Sequence, residues 1–92
     1  MIKVCIVMPA RFSKPLGANL IELKEYYASK GFEKDSQIVE SAISHGCTAF
    51  RFNDHKIKHK GRDVVYYVSM IFEFMFSKDA SNFMLDYSKI IE

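Results

Sequence analysis

Cationic side chains concentrated in two separate segments are the residues of this sequence best suited to chemistry with a partner. Residues 9–17 and 51–63 contain few acids, and their cations are interleaved with phenylalanine and histidine. The cations are Arg11, Lys14, Arg51, Lys56, Lys58, Lys60 and Arg62. Cations neutralise phosphates and carboxylates, and planar groups such as Phe12 stack on bases. The pattern predicts a surface for a polyanion or an acidic protein, although lysines that discourage pairing at a sheet edge explain the same residues.

His55 and His59 are the candidates for acid–base chemistry. Together with a lysine, two histidines can transfer protons in metal-independent cleavage of RNA. Apart from Asp54 and Asp63, no carboxylate near in sequence is placed to orient either imidazole, and the chain has no glycine-rich phosphate loop or serine nucleophile motif. A zinc site needs three or four ligands; Cys47 is near the two histidines in sequence, but the only other cysteine, Cys5, is predicted inside the first strand. We therefore expect no catalysis, metal or other cofactor, and a nuclease using these histidines is the enzymatic alternative.

A long strand near the C-terminus is the most strongly patterned element that positions these residues. Alternate residues from Val64 to Phe76 are apolar, which predicts one buried face. The second face carries Tyr67, Ile71 and Met75 and is less polar than a face open to water. We expect these three residues to contact another layer of the domain, a second copy in a homodimer, or a different protein.

The remaining pattern predicts further strands and helices. The elements are strands at 2–8 and 47–52 and helices from Asn19 to Gly31, from Asp35 or Ser36 to Gly46, and from Ser77 onward. The first strand ends at Pro9 and is expected to be mostly buried. Residues 53–63 contain one aliphatic side chain, so they form either a protruding hairpin arm or a loop. Turns are plausible both at Asn53–Asp54 and at residues 60–63.

The order β-α-α-β-(β)-β-α predicts an α+β fold. We expect a two-layer sandwich with one mixed sheet of three to four strands and three helices on one face. A helical connection between strands 2–8 and 47–52 favours a parallel orientation. The segments that follow them, 9–17 and 53–63, would then emerge at the same end of the sheet and form its most positive surface.

Length and composition limit the class of protein. The 92 residues, 49% of them hydrophobic, suffice for one compact domain, residues 1–92. No apolar run approaches the roughly 18–20 residues that span a membrane, and the N-terminus lacks a signal-peptide pattern, so we expect a cytoplasmic protein without membrane contact. We expect Cys5 and Cys47 to be reduced and buried, because a disulfide scaffold uses more cysteines.

These observations favour a small non-enzymatic binding module, a regulator or inhibitor that occupies the surface of a macromolecular partner. The half-apolar sheet face would supply contact area, and the basic segments would steer the chain toward negative potential. The alternative is a nucleic-acid-binding protein, or a component of a nucleic-acid-bearing complex, that uses residues 53–63. The abundance of Lys, Ile, Phe and Tyr is typical of AT-rich genes, which suits a viral or mobile-element accessory protein.

Overall fold

A computed structural model describes residues 1–10, 13–15 and 17–92, and these residues form three strands and three helices. The elements are β1 (Ile2–Val7), α1 (Leu20–Ser29), α2 (Glu33–Ser44), β2 (Cys47–His59), β3 (Arg62–Phe74) and α3 (Ser77–Ile91). The predicted α+β fold, with a small sheet and three helices, is confirmed.

The sheet has β3 in its centre. β3 pairs antiparallel with β1 on one side and with β2 on the other. The sheet is therefore antiparallel throughout and not mixed. β1 and β2 run in the same direction, as expected, but they do not pair with each other, because the hairpin of β2 and β3 inserts β3 between them.

Alternate side chains of β3 form the floor of the core. Its buried members on this face are Val68, Met70, Phe72 and Phe74. The ring of Phe83 in α3 lies against Phe72 and Phe74, with centroid distances of 5.1 and 5.2 Å. The core ends near Val68, so Val64 and Tyr66 are exposed although they continue the apolar alternation. Alternation predicted the floor of the core but not its length.

β2 and β3 extend beyond the core as a hairpin arm, residues 56–65. Every residue of this arm is exposed, and its strands are joined at Lys60 and Gly61, whose φ angles are 52° and 77°. Positive φ at both positions is the geometry of a two-residue type I′ turn, which matches the twist of the flanking strands. Of the two structures expected for 53–63, the arm is the one that forms. The turn expected at Asn53–Asp54 is wrong, because both residues pair with β3.

A β-bulge marks the base of the arm. His55 pairs with Tyr67, but Lys56 pairs with Val65, so Tyr66 is an extra residue on β3. The rings of Tyr66 and Tyr67 have centroids 5.7 Å apart. Side chains of consecutive residues in a regular strand point to opposite faces, so the bulge is what brings these two rings together.

The helix ends follow the predicted signals in part. The backbone N–H of Glu22 donates to Asn19 Oδ1 over 2.8 Å, which caps α1, and the chain turns after α1 at Gly31, whose φ is 79°. α2 begins at Glu33, earlier than predicted. The predicted start at Asp35 is wrong because the Asp35 carboxylate does not cap the helix but accepts a hydrogen bond from the Ala10 backbone over 2.9 Å.

A side-chain bridge joins the end of α2 to α3. His45 Nε2 lies 2.6 Å from Asp86 Oδ2, and the Ser41 hydroxyl donates to the same oxygen over 3.1 Å. The hydrogen bonds from His45 and then Ser41 hold the pKa of Asp86 below its usual value. His45 therefore has a carboxylate partner in addition to its position at the C-terminus of a helix.

The expected burial of the first strand and of the cysteines is wrong. β1 is an edge strand, and within it only Ile6 is fully buried. Cys5 is exposed because it lies on the face of the sheet away from the helices, whereas Cys47 is half-buried; both thiols are free.

Replacing Phe83 with Ala tests the assignment of the core. The ring is completely buried, so we expect the free energy of unfolding to fall by about 3–5 kcal/mol in urea titrations followed by circular dichroism. Phe76→Ala is the matched control, because the ring of Phe76 is 62% exposed, and it should cost less than about 1 kcal/mol. Equal losses in the two variants would contradict this core.

Candidate functional site

The face of the sheet away from the helices is open in the described part of the chain. The core residues of the three helices pack on the opposite face, with Ile6, Met70 and Phe72. By strand register, the side chains on the open side are Lys3, Cys5, Val7, Ala49, Arg51, Asn53, His55, Tyr67, Ser69, Ile71 and Glu73. We call this surface the open face. It continues into the hairpin arm, so together they form one elongated candidate binding surface.

A chain of hydrogen bonds crosses the open face at Ser69. The Ser69 hydroxyl is 2.8 Å from His55 Nε2 and 3.3 Å from Cys5 Sγ, and Asn53 Nδ2 is 3.4 Å from the same imidazole nitrogen. The His55 ring stacks on Tyr67 with centroids 4.2 Å apart and planes 13° from parallel. His55 is thus held by two polar contacts and one aromatic contact, and those with Ser69 and Tyr67 are not visible as a local sequence pattern.

The positions of the histidines do not favour the nuclease hypothesis. His55 and His59 are four residues apart in β2, which corresponds to about 13 Å along a strand. An acid and a base acting on one phosphate must both reach it by hydrogen bonds of about 3 Å. Ser69, the hydroxyl next to His55, is only 1% exposed, so it is poorly placed to attack a substrate.

The two basic segments meet at one end of the sheet, as predicted. Lys14 Nζ, in the segment after β1, lies 2.7 Å from Asp54 Oδ1 in β2. The hydrogen bond from Lys14 holds the pKa of Asp54 below its usual value. Arg11, the other cation of this segment, and Phe12 lie outside the described residues.

Ion pairs divide the predicted cations into two groups. Lys14 is paired with Asp54, and Lys58 Nζ lies 3.0 Å from Asp63 Oδ1. Among the described cations of the two segments, those without a carboxylate within ion-pair distance are Arg51, Lys56, Lys60 and Arg62. Their charge is available to a partner without first breaking an internal pair. Lys60 lies in the turn, so it does not share one side of a regular strand with Lys56 and Lys58.

The apolar candidates on the second face of β3 differ in exposure. Tyr67 is half-buried under His55, and Met75 is exposed just beyond the end of β3. Ile71 is only 8% exposed because Cys5 and Arg51 lie opposite it on the neighbouring strands. Tyr66, which the sequence pattern placed on the buried face, is 58% exposed. The bulge makes Tyr66 a candidate contact residue that alternation alone misses.

A buried carboxylate fixes the segment that carries Lys14. Asp35 accepts from the Ala10 backbone, and the Tyr27 hydroxyl donates to the carbonyl of Ser13 over 2.9 Å. Burial raises the pKa of Asp35 above its ordinary value, against the lowering effect of the Ala10 hydrogen bond. Burial and then the nearby charge of Asp35 raise the pKa of Tyr27 beyond its usual range, so the phenol remains a donor.

A separate apolar cleft lies between α1, α2 and β2. It has a volume of about 400 Å³ and is lined mainly by Leu20, Ile21, Ile43, Cys47 and Phe50. Burial raises the pKa of the Cys47 thiol. The lining of the cleft is mainly apolar, unlike the basic surface, and no sequence pattern predicted the cleft.

Comparisons with other proteins do not identify the chain. No protein-family model matches it, and neither the curated proteins nor the solved structures include a similar one. The described residues contain no cluster of three His, Cys, Asp or Glu side chains arranged to hold a metal ion. Within the same residues, none of the helices has the length and apolar character needed to cross a membrane.

Asp35 should make stability depend on pH in a defined direction. Its folded pKa lies above the ordinary 3.8, so its contribution to stability is complete below that pH and is lost as pH rises through the folded pKa. Asp35→Asn keeps an acceptor for Ala10 and does not titrate. We therefore expect the variant to gain stability relative to the parent as pH rises across this window, in urea titrations at several pH values. A difference that is independent of pH would contradict the burial of this carboxylate.

Proposed function

We propose that this chain is a non-enzymatic binding module, a regulator or inhibitor that occupies an acidic surface on a protein partner. The observation that carries the proposal is the continuity of the open face with an exposed arm bearing cations that have no internal partner. Neither surface is needed to complete the core, which lies between the opposite face and the helices.

The dimensions of this surface suit a protein partner. β2 and β3 each contain 13 residues, which corresponds to about 43 Å of extended chain, and the longest dimension of the molecule is 43 Å. With two or three strands across its width, the surface has a projected area of about 400–600 Å². Because side chains protrude from the sheet, the accessible area exceeds the projected area and comes near the roughly 800 Å² that each partner contributes to a standard interface.

The centre of the surface contains rigid aromatic groups. The stack of His55 on Tyr67 and the hydrogen bond between the same imidazole and the Ser69 hydroxyl restrict these rings before any partner binds. Tyr66 adds an exposed ring beside them. Tyrosine is enriched at interface hot spots, and side chains that are already ordered lose little entropy on binding. Contact energy is therefore expected at the base of the arm.

The tip of the arm supplies electrostatic attraction. Lys56, Lys60 and Arg62 are exposed and lie within a few residues of the turn. Exposed charges of this kind increase the rate of association with a surface of opposite sign more than they increase affinity. Lys14 and Lys58 contribute less, since Asp54 and Asp63 already neutralise them.

Binding to single-stranded nucleic acid is the second candidate function. The specific observation in its favour is the exposed ring of Tyr66 next to the lysines of the arm. Exposed aromatic rings on a sheet stack on unpaired bases while lysines and arginines contact phosphates. The same surface would be used, so the two candidates differ in how binding responds to salt.

Reversing charge at the arm tests the electrostatic part of the proposal. We expect Lys56→Glu/Lys60→Glu to reduce recovery of the partner at least tenfold when the chain is used as bait in extracts of its source cell. Its melting temperature should change by no more than about 2 °C, because exposed charges contribute little to stability. Lys34→Glu/Lys78→Glu is the control, since it makes the same change in net charge at exposed positions on the helices. Equal recovery with both variants would rule out a role for the arm.

Tyr66→Ala tests the contact residue, and a salt series separates the two candidate partners. Removing this exposed ring should weaken either complex about tenfold or more, whereas Tyr26→Ala on α1 should not. For single-stranded nucleic acid, the logarithm of the binding constant should fall by about 0.7 per neutralised phosphate for each tenfold rise in salt. For a protein partner held by apolar contact, the binding constant measured by calorimetry should fall much less over the same rise in salt. Binding unaffected by Tyr66→Ala would exclude the base of the arm as a contact site.

A further inference from the structure

The outer edge of β1 is exposed and has few of the features that usually prevent strand pairing. Within the described residues, β1 pairs with β3 along one edge and with no strand along the other. Its six residues, Ile2–Val7, include no proline, show no register shift and carry one charge, Lys3. β2, the strand at the other edge of the sheet, has two register shifts, two lysines and an arginine. Bulges and lysines are how natural sheets protect an edge, so β2 is better protected than β1, which has Lys3 alone.

The side of the helix layer above β1 is also uncovered, and the residues that line it are uncharged; we call it the flank. A groove of about 490 Å³ runs between Ile2 and one side of α3. Its helical lining is Ser77, Ala80, Ser81, Met84, Leu85 and Ser88. Leu85 is 63% exposed and Met84 is 39% exposed. Residues 77, 81, 84 and 88 have the alternating spacing of four and three that forms the seam between packed helices, and the serines allow a close approach.

We propose that a second copy of this chain covers both features, with β1 pairing antiparallel to β1 and α3 packing against α3 about a two-fold axis. The edge of β1 and the exposed side of α3 lie on the same side of the molecule. A copy related by a two-fold axis therefore places its β1 beside β1 and its α3 beside α3. An added peptide strand would pair with β1 but would leave Met84 and Leu85 in water. A second copy is the occupant that covers the strand edge and the helix flank together.

The single charge on β1 limits how the two strands can align. Residues opposite each other in an antiparallel pair lie on the same face, so a symmetric pair is centred on one residue position. Centring on Val4 places Lys3 opposite Cys5 of the second copy, and centring on Cys5 places it opposite Val7. Centring on Lys3 would oppose two lysines and is disfavoured. The strand therefore has two self-complementary registers free of charge repulsion.

The size of the flank is appropriate for a dimer. A strand of six residues is about 20 Å long, and a sheet with a helix layer packed on it is about 20 Å high, since layers lie roughly 10 Å apart. The projected area is about 400 Å² per copy, which side-chain relief raises toward the roughly 800 Å² of a standard interface. This dimer differs from association through the open face, which it leaves free in both copies.

Sedimentation measurements on the full chain test the dimer. Between about 1 and 200 µM, we expect the mass to approach twice the 10.7 kDa of the chain. Leu85→Lys should raise the dissociation constant at least 30-fold, and Met84→Lys should act in the same direction. Ile21→Lys is the control, because Ile21 is similarly exposed but lies on α1. A chain that remains monomeric at 200 µM, or a dimer equally sensitive to Leu85→Lys and Ile21→Lys, would overturn the proposal.

Amide hydrogen exchange identifies which edge pairs. In the dimer, amides of β1 that point away from β3 should exchange at least tenfold more slowly than in the monomeric Leu85→Lys variant. Amides of the hairpin arm should exchange at the same rate in both. If the β1 amides of the dimer exchange as fast as those of the monomer, pairing through β1 is overturned, however stable the dimer is. Circular dichroism of each lysine variant establishes that the fold is retained.

Discussion

The position of β3 between β1 and β2 is the constraint on which the other features of the structure depend. One face of β3 supplies the aromatic floor on which Phe83 packs, and the opposite face supplies Tyr67, Ser69 and Ile71 to the open face. Its first four residues, 62–65, extend past the core and form the arm with β2. Because β3 occupies the centre, β1 is left at the edge with one side unpaired. A single strand thus determines both the core and the candidate binding surfaces.

Stability is distributed unevenly along this strand. Around Phe72 the strand is buried between two neighbours and the helix layer, whereas the arm has a hydrogen-bonded partner strand but no covering layer. Two-stranded ribbons are marginally stable in water without further packing. The contacts at the base of the arm therefore matter: the stack of His55 on Tyr67 and the hydrogen bond to Ser69 anchor it where the bulge interrupts the ladder. In the proposed complex, the side chains at the base of the arm would lose little conformational entropy, because these contacts already hold them.

Local signals in the sequence predicted most elements, and long-range pairing accounts for what they missed. The cap at Asn19, the glycine after α1 and the alternation of β3 are encoded within a few residues, and each was read from the sequence. The exposure of Cys5 depends on which strand takes the centre of the sheet, which no local pattern determines. Tyr66 was predicted to be buried but is exposed, because alternation reveals neither the end of the core nor a bulge. The basic segments were predicted to meet, but their partial neutralisation depends on contacts such as Lys14 with Asp54, 40 residues apart in sequence.

The distribution of charge explains why the small net charge understates the potential of the candidate surface. The net charge is +2, and most acids lie on the helices, whereas unpaired cations lie at the tip of the arm. The molecule is 43 Å long, while charges in physiological salt are screened over about 8 Å. The helical acids therefore do little to reduce the field around Lys56, Lys60 and Arg62. Asp54 and Asp63 act locally instead, by pairing with Lys14 and Lys58, so the unpaired described cations of the two segments are Arg51 and these three cations of the arm. In the proposed complex, these cations would attract a partner first, and its apolar contacts would form at the base of the arm.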